Sequence, residues 1–171
     1  FIKFCIPFWS NLLQMQVKLD IEDSRVKGIV FHPNRPWILY STHTGTVHLY
    51  DYDIGVELYC YNVTKDNTPV RCVAFHPTQP LFACGTDNYD VIVYNWQRKM
   101  KLFTLIGHTD YIRSVEFHSV YPLLISSSDD STARIWNWQS RCCVAVLEEH
   151  TYYVMCARFN PQKPLVATAS L

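Results

Sequence analysis

One pattern limits what this chain can fold into: a phenylalanine that closes an apolar run, followed by a histidine or asparagine and then a turn-forming residue. Phe31-His32-Pro33 returns as Phe75-His76-Pro77, Phe117-His118-Ser119 and Phe159-Asn160-Pro161, at steps of 44, 42 and 42 residues. A proline column (Pro36, Pro80, Pro122, Pro164) keeps the same steps, and so does an aromatic pair column (Tyr50-Asp51, Tyr94-Asn95, Trp136-Asn137). Columns in register at one period define a repeated supersecondary unit. Such a unit cannot bury its apolar face alone and must stack on its neighbours.

Within a period the runs are short and β-rich. Val26 to Phe31 and Val70 to Phe75 end at turn signals, as strands do. In the third period Leu123 to Ser126 is a second strand, Asp129-Asp130-Ser131 a turn, Thr132 to Trp136 a third strand and Cys142 to Leu147 a fourth. Four strands in about 42 residues match one blade of a β-propeller. The expected fold is therefore all-β: an incomplete propeller with blades near 27–66, 67–108 and 109–150, followed by the first strands of a fourth. Hydrophobic residues make up 49% of the 171, enough for a sizeable core.

Residues 1–16 lack the repeat and are set apart as an unmatched N-terminal tail, leaving 17–171 as the partial propeller. Lys3, Pro7, Ser10 and Asn11 interrupt the tail, so it is too broken for a membrane-spanning helix and lacks the apolar core of a signal peptide. Fifteen basic residues balance fifteen acidic ones, which argues against a nucleic-acid coat or a polybasic membrane patch. Seven cysteines, with no C-x-x-C pair, fit a reducing cytosolic compartment. No histidine stands at metal-ligand spacing from a cysteine, so neither a metal nor a cofactor is expected. No G-x-S-x-G, H-E-x-x-H or P-loop occurs, and no residue is assigned a catalytic role.

Gly107-His108, the stretch Ser126 to Asp130, and Trp136-Asn137 resemble a WD40 repeat. The resemblance implies a buried hydrogen-bond network of His, Ser or Thr, Asp and Trp, with His108, Asp130 and Trp136 filling those roles in the third repeat. The first two repeats depart from it. Tyr50 and Tyr94 replace Trp, Thr44 and Asn88 replace Asp, and those blades are expected to be held more by packing than by the network. Further strings are similar to the large coatomer subunits: Arg25-Val26-Lys27-Gly28, Leu102-Phe103-Thr104-Leu105, Asp110-Tyr111-Ile112-Arg113, Trp138-Gln139-Ser140-Arg141 and Tyr153-Val154-Met155-Cys156-Ala157. The likeness favours the alpha subunits, with beta-prime as second choice, and runs from about Val17 to Leu171. It implies a cytoplasmic coat protein, peripheral on Golgi membranes and coated vesicles, whose partners are other coatomer subunits and cargo tails ending in a dilysine signal. In such propellers a strand from the far end closes the ring, and Val17 to Ile21 stand where its partner would be. A different WD40 scaffold for complex assembly remains the alternative.

The repeat alignment shows what chemistry the rim offers. Arg25, Pro69, Tyr111 and Tyr153 share one column, and Lys27, Arg71, Arg113 and Met155 share the column two residues later. Cations converging at the mouth of a channel suit a free carboxylate. By the resemblance, Arg25, Lys27 and Arg71 hold the tail carboxylate, while Asp110, Tyr111, Asp129 and Tyr153 line the lysine pockets. Arg113 is read as a structural ion-pair partner, and His32 and His76 as turn residues. Asp129, unlike Asp130, is expected to matter little for stability.

Overall fold

The computed structural model describes residues 25–171 and, as backbone, the strands β1 (Ile2–Pro7) and β2 (Leu13–Leu19), which pair antiparallel as a hairpin. The second of these crosses the expected division between tail and propeller. The closing strand expected at Val17 to Ile21 lies in part outside the described residues.

Three four-stranded antiparallel meanders follow. The first is β3 (Val26–Phe31), β4 (Trp37–Thr42), β5 (Thr46–Asp51) and β6 (Val56–Asn62). The second is β7 (Val70–Phe75), β8 (Leu81–Thr86), β9 (Val91–Asn95) and β10 (Met100–Leu105). The third is β11 (Ile112–Phe117), β12 (Leu123–Ser128), β13 (Ala133–Asn137) and β14 (Cys142–Leu147). A two-stranded sheet, β15 (Val154–Phe159) and β16 (Val166–Ser170), begins a fourth. No helix occurs among the described residues, so the all-β propeller reading holds.

The first strands β3, β7, β11 and β15 lie side by side, each against the next. The core sits between blades. Leu39, Val47, Tyr61, Phe75 and Phe82 join the first two, and Leu105, Ile112, Phe117, Leu124 and Trp136 join the second and third. Glycine permits this closeness at one point in particular. A Cβ on Gly85 would run into Ile112 and come within 2.7 Å of Cys72 Sγ. Between the third and fourth blades, side chains cap the strand edge: Ser114 Oγ accepts from the Ala157 amide (3.0 Å) and the Glu116 carboxylate from that of Phe159 (2.7 Å).

The turn after each first strand explains the Phe-His column. His32, His76 and His118 each accept backbone N–H bonds at Nδ1, from Asn34, from Thr78 and Gln79, and from Val120 and Tyr121. In the fourth repeat Asn160 Oδ1 does the same for Gln162 and Lys163, which is why asparagine can stand in that column. These histidines are turn residues.

Candidate functional site

The third blade carries the network that the repeat motif implies. Trp136 Nε1 donates to Ser126 Oγ (2.8 Å), Ser126 Oγ meets His108 Nε2 (2.8 Å), and His108 Nδ1 meets Asp130 Oδ2 (2.7 Å). An ionised carboxylate only accepts, so His108 carries its proton on Nδ1 and takes the Ser126 hydroxyl proton at Nε2. Donation then runs one way, from Trp136 through Ser126 and His108 to Asp130. Burial alone would push the Asp130 carboxyl up. Hydrogen bonds from His108, Thr132 and the Thr109 amide outweigh that and hold it well below the usual carboxylate range. Shifting by 42 residues maps His108 and Ser126 onto His150 and Thr168, which also bond (2.8 Å). In the first blade Tyr40 stands at the Ser126 position and stacks flat on His48 (4.7 Å, 3°), and a hydroxyl chain Thr42–Thr46–His48 runs beside it. Packing and polar contacts are therefore combined there, where packing was expected to outweigh a polar network.

The rim is built on a bulge. In every first strand the ladder skips one residue, between Val26 and Gly28, Val70 and Cys72, Ile112 and Ser114, and Val154 and Cys156. The skipped residues are Lys27, Arg71, Arg113 and Met155, the cation column itself. A bulge frees its side chain from the alternation of the strand and re-aims it. Here it is re-aimed at the turn between the second and third strands. Arg71 grips Asp87 with Nε and Nη2, and Arg113 grips Asp129 in the same two-pronged way. The turn is fixed by backbone bonds from Asp87 N to Pro69 O (3.0 Å) and from Asp129 N to Tyr111 O (3.0 Å). Hydrogen bonding to Asp129 raises the Arg113 pKa against its partial burial, and the charges of Asp129, Asp87 and Asp110 add to the effect.

An acid column therefore answers the cation column: His43, Asp87, Asp129 and Leu171 oppose Lys27, Arg71, Arg113 and Met155. Reading the cations alone missed it, because only two of its four members are acidic. Arg113 is the ion-pair partner it was expected to be. Its acid is Asp129, whose side chain is only 4% exposed, so the expectation that Asp129 is neutral for stability is revised. Lys27 faces a repeat position occupied by His43 and makes no ion pair with any described residue, and Arg25 beside it is exposed.

The remaining candidates are Tyr111, Asp110 and Tyr153, of which Tyr111 and Asp110 lie beside the Arg71 pair. Arg71 lies over the Tyr111 ring (4.9 Å), which leans on Tyr89 (5.9 Å). Tyr89 holds a left-handed backbone (φ 69°) and an exposed ring, and its repeat equivalents are Gly45 and Ser131. Asp110 is half-buried and accepts from the Tyr111 amide (2.7 Å). Tyr153 is stacked on Tyr152 (4.5 Å). The structure thus joins Arg71, Tyr111, Asp129 and Asp110 to Asp87, Tyr89 and Arg113, none of which was proposed as a ligand contact.

Repeats with one strand pattern, one bulge and one buried Trp–Ser–His–Asp chain have a counterpart among known families. The family profile "WD domain, G-beta repeat" matches residues 16–51, 58–95, 99–137 and 141–171. The chain belongs to the WD40 family. Among curated relatives, coatomer subunit alpha of Dictyostelium discoideum is 57% identical over 44 residues, 26% of this chain and 4% of that protein. Coatomer subunit alpha of Saccharomyces cerevisiae is 44% identical over 47 residues, 28% of this chain and 4% of that protein. The matched stretch thus spans only about 4% of the length of these relatives. Two solved structures share the fold at 20% identity: that titled "Structure of U3-55K" (TM-score 0.73, 80% of this chain and 43% of that one) and the WD40 repeats of RRP9 (TM-score 0.74, 80% and 42%). Propellers of the WD40 family are typically non-enzymatic scaffolds for protein–protein interaction.

Proposed function

We propose that the rim binds the C-terminus of a lysine-bearing peptide, and that the chain is the cargo-reading propeller of a coatomer alpha-type coat subunit. Its ligands are dilysine signals on cytosolic tails of membrane cargo bound for retrieval from Golgi to endoplasmic reticulum. It works in the cytoplasm, peripherally on Golgi membranes and vesicles, alongside other coatomer subunits. The observation that carries this reading is Lys27: a cation at the bulge position whose two cationic repeat equivalents, Arg71 and Arg113, each hold an aspartate, while the repeat position of those acids is His43 in its own blade and Arg25 nearby is exposed. A terminal carboxylate supplies the missing partner, with Arg71 adding a third donor group from within its pair with Asp87. The lysine stems lie on Tyr111 and Tyr153, with Tyr89 extending the first of these faces. Asp110 takes one ammonium, and Asp129, sharing its oxygens with Arg113, takes another.

Calorimetry with two peptides tests it, one ending in a free acid after a dilysine signal and one amidated. The acid form should bind, and the amide should lose most of the affinity. Lys27→Ala should weaken the acid form by roughly 1.5–3 kcal/mol, the range for hydrogen bonds to charged groups. Equal affinity for acid and amide would refute the carboxylate clamp and leave a WD40 scaffold of another kind.

A further inference from the structure

On the outer strands of the first blade, away from the rim, three side chains of different chemistry converge. His48 on β5 and Cys60 on β6 are direct cross-strand partners, with His48 Nε2 3.8 Å from Cys60 Sγ. Glu57 reaches the other ring nitrogen, 2.7 Å from His48 Nδ1. It gets there through an irregularity in the β5–β6 ladder. Leu49 pairs with Tyr59 but Tyr50 pairs with Glu57, so Leu58 is skipped. One donor atom from each of the three lies within 4.8 Å of the others, the only such group among the described residues. No lysine or arginine among those residues forms an ion pair with Glu57, whose carboxylate meets the His48 imidazole. The thiol is half-buried.

We propose that His48, Glu57 and Cys60 form a binding site for a thiophilic divalent cation of the zinc type. The donor set is one imidazole nitrogen, one carboxylate oxygen and one thiolate, the set that such ions take in tetrahedral sites. The fourth position is left to water or an outside ligand, since Glu57 is 43% exposed at the surface. The cation displaces the thiol proton to solvent and removes the repulsion between thiolate and carboxylate. Tyr40, stacked flat on His48, fixes the ring plane, and Thr46 Oγ1 (2.8 Å from His48 Nε2) bonds the imidazole from the rim side. Spacing along the chain conceals the site, because its histidine and cysteine are twelve residues apart and become neighbours only when β5 and β6 pair.

The test is titration of the 171-residue protein with Co²⁺, followed by displacement with Zn²⁺. One equivalent should give the visible bands of a tetrahedral ion together with thiolate-to-cobalt charge transfer in the near ultraviolet, and Zn²⁺ should abolish both. Cys60→Ser should remove the charge-transfer band. His48→Gln and the surface change Glu57→Gln should each weaken binding by roughly tenfold or more. Circular dichroism identifies any variant that is unfolded, and Glu57→Gln then carries the test, because its side chain is exposed. Absence of a saturable tetrahedral spectrum in the parent protein would overturn the proposal. An unchanged charge-transfer band in Cys60→Ser would do the same, since another cysteine would then be the ligand.

Discussion

Ser126→Ala removes a single oxygen, and the structure says what that oxygen holds. It accepts the Trp136 Nε1 proton and donates to His108 Nε2, with Ser126 and Trp136 at 0% and 2% exposure and the His108 side chain at 0%. Alanine fills nearly the same space, so little cavity cost is added. Two buried polar atoms are left without partners, at roughly 1–3 kcal/mol each. The sum, about 2–6 kcal/mol, corresponds to a fall in melting temperature of roughly 4–24 °C for a chain of this size. The matched control is Thr168→Ala. It breaks the repeat-equivalent bond to His150, but both residues are only half-buried and water can replace the hydroxyl. Its expected effect is within about 0.5 kcal/mol. Urea unfolding of parent and both variants, with a shared slope and separate midpoints, measures the difference. A Ser126→Ala midpoint no lower than that of Thr168→Ala would refute the claim that this chain of donors stiffens the third blade.

Asp129→Leu should cost roughly 1.5–3 kcal/mol by stranding Arg113, whereas adding Arg113→Met, the Met/Leu pair that the fourth repeat already uses, should recover most of it; chemical denaturation of single and double variants checks this. Acid should destabilise the fold in two stages. Burial lowers the His76 pKa from 6.5, so the unfolded chain takes up the proton first and stability falls as pH drops below about 6.5. Asp130 contributes stability that is present above its unfolded value of 3.8 and is lost as pH falls towards its depressed folded value. His76→Asn, which copies Asn160, should keep the turn and flatten the first stage in a pH series of urea melts; an unchanged slope would assign that stage to other groups.

Much of the fold is legible because the repeat samples the same structural problem four times. The Phe column marks where first strands end, and Val26, Val70, Ile112 and Val154 open them where expected. What escapes the sequence is whatever depends on pairing between strands. Ser126 stands in a run of three serines, and only alternation along β12 selects it for Trp136 while Ser127 turns to Ser114 (2.7 Å). Asp87 and Asp129 lie sixteen residues from their arginines, a separation without meaning until a bulge and a backbone-locked turn bring them together. Tyr89 gives no signal at all, because its interest lies in a left-handed backbone that an aromatic residue rarely adopts.

The paired guanidinium and carboxylate groups of the rim bear on how fast anything can arrive there. Opposite charges in contact leave only a short-range field, and at physiological ionic strength ions damp what remains within about 8 Å. From that distance only Arg25 and Lys27 present uncompensated charge among the described rim cations. A peptide tail of the proposed kind is therefore barely steered, and its encounter rate should sit near the unassisted 10⁵–10⁶ M⁻¹s⁻¹ that is roughly typical of neutral surfaces. On the proposed reading, preference between tails must then show itself in how long each one stays.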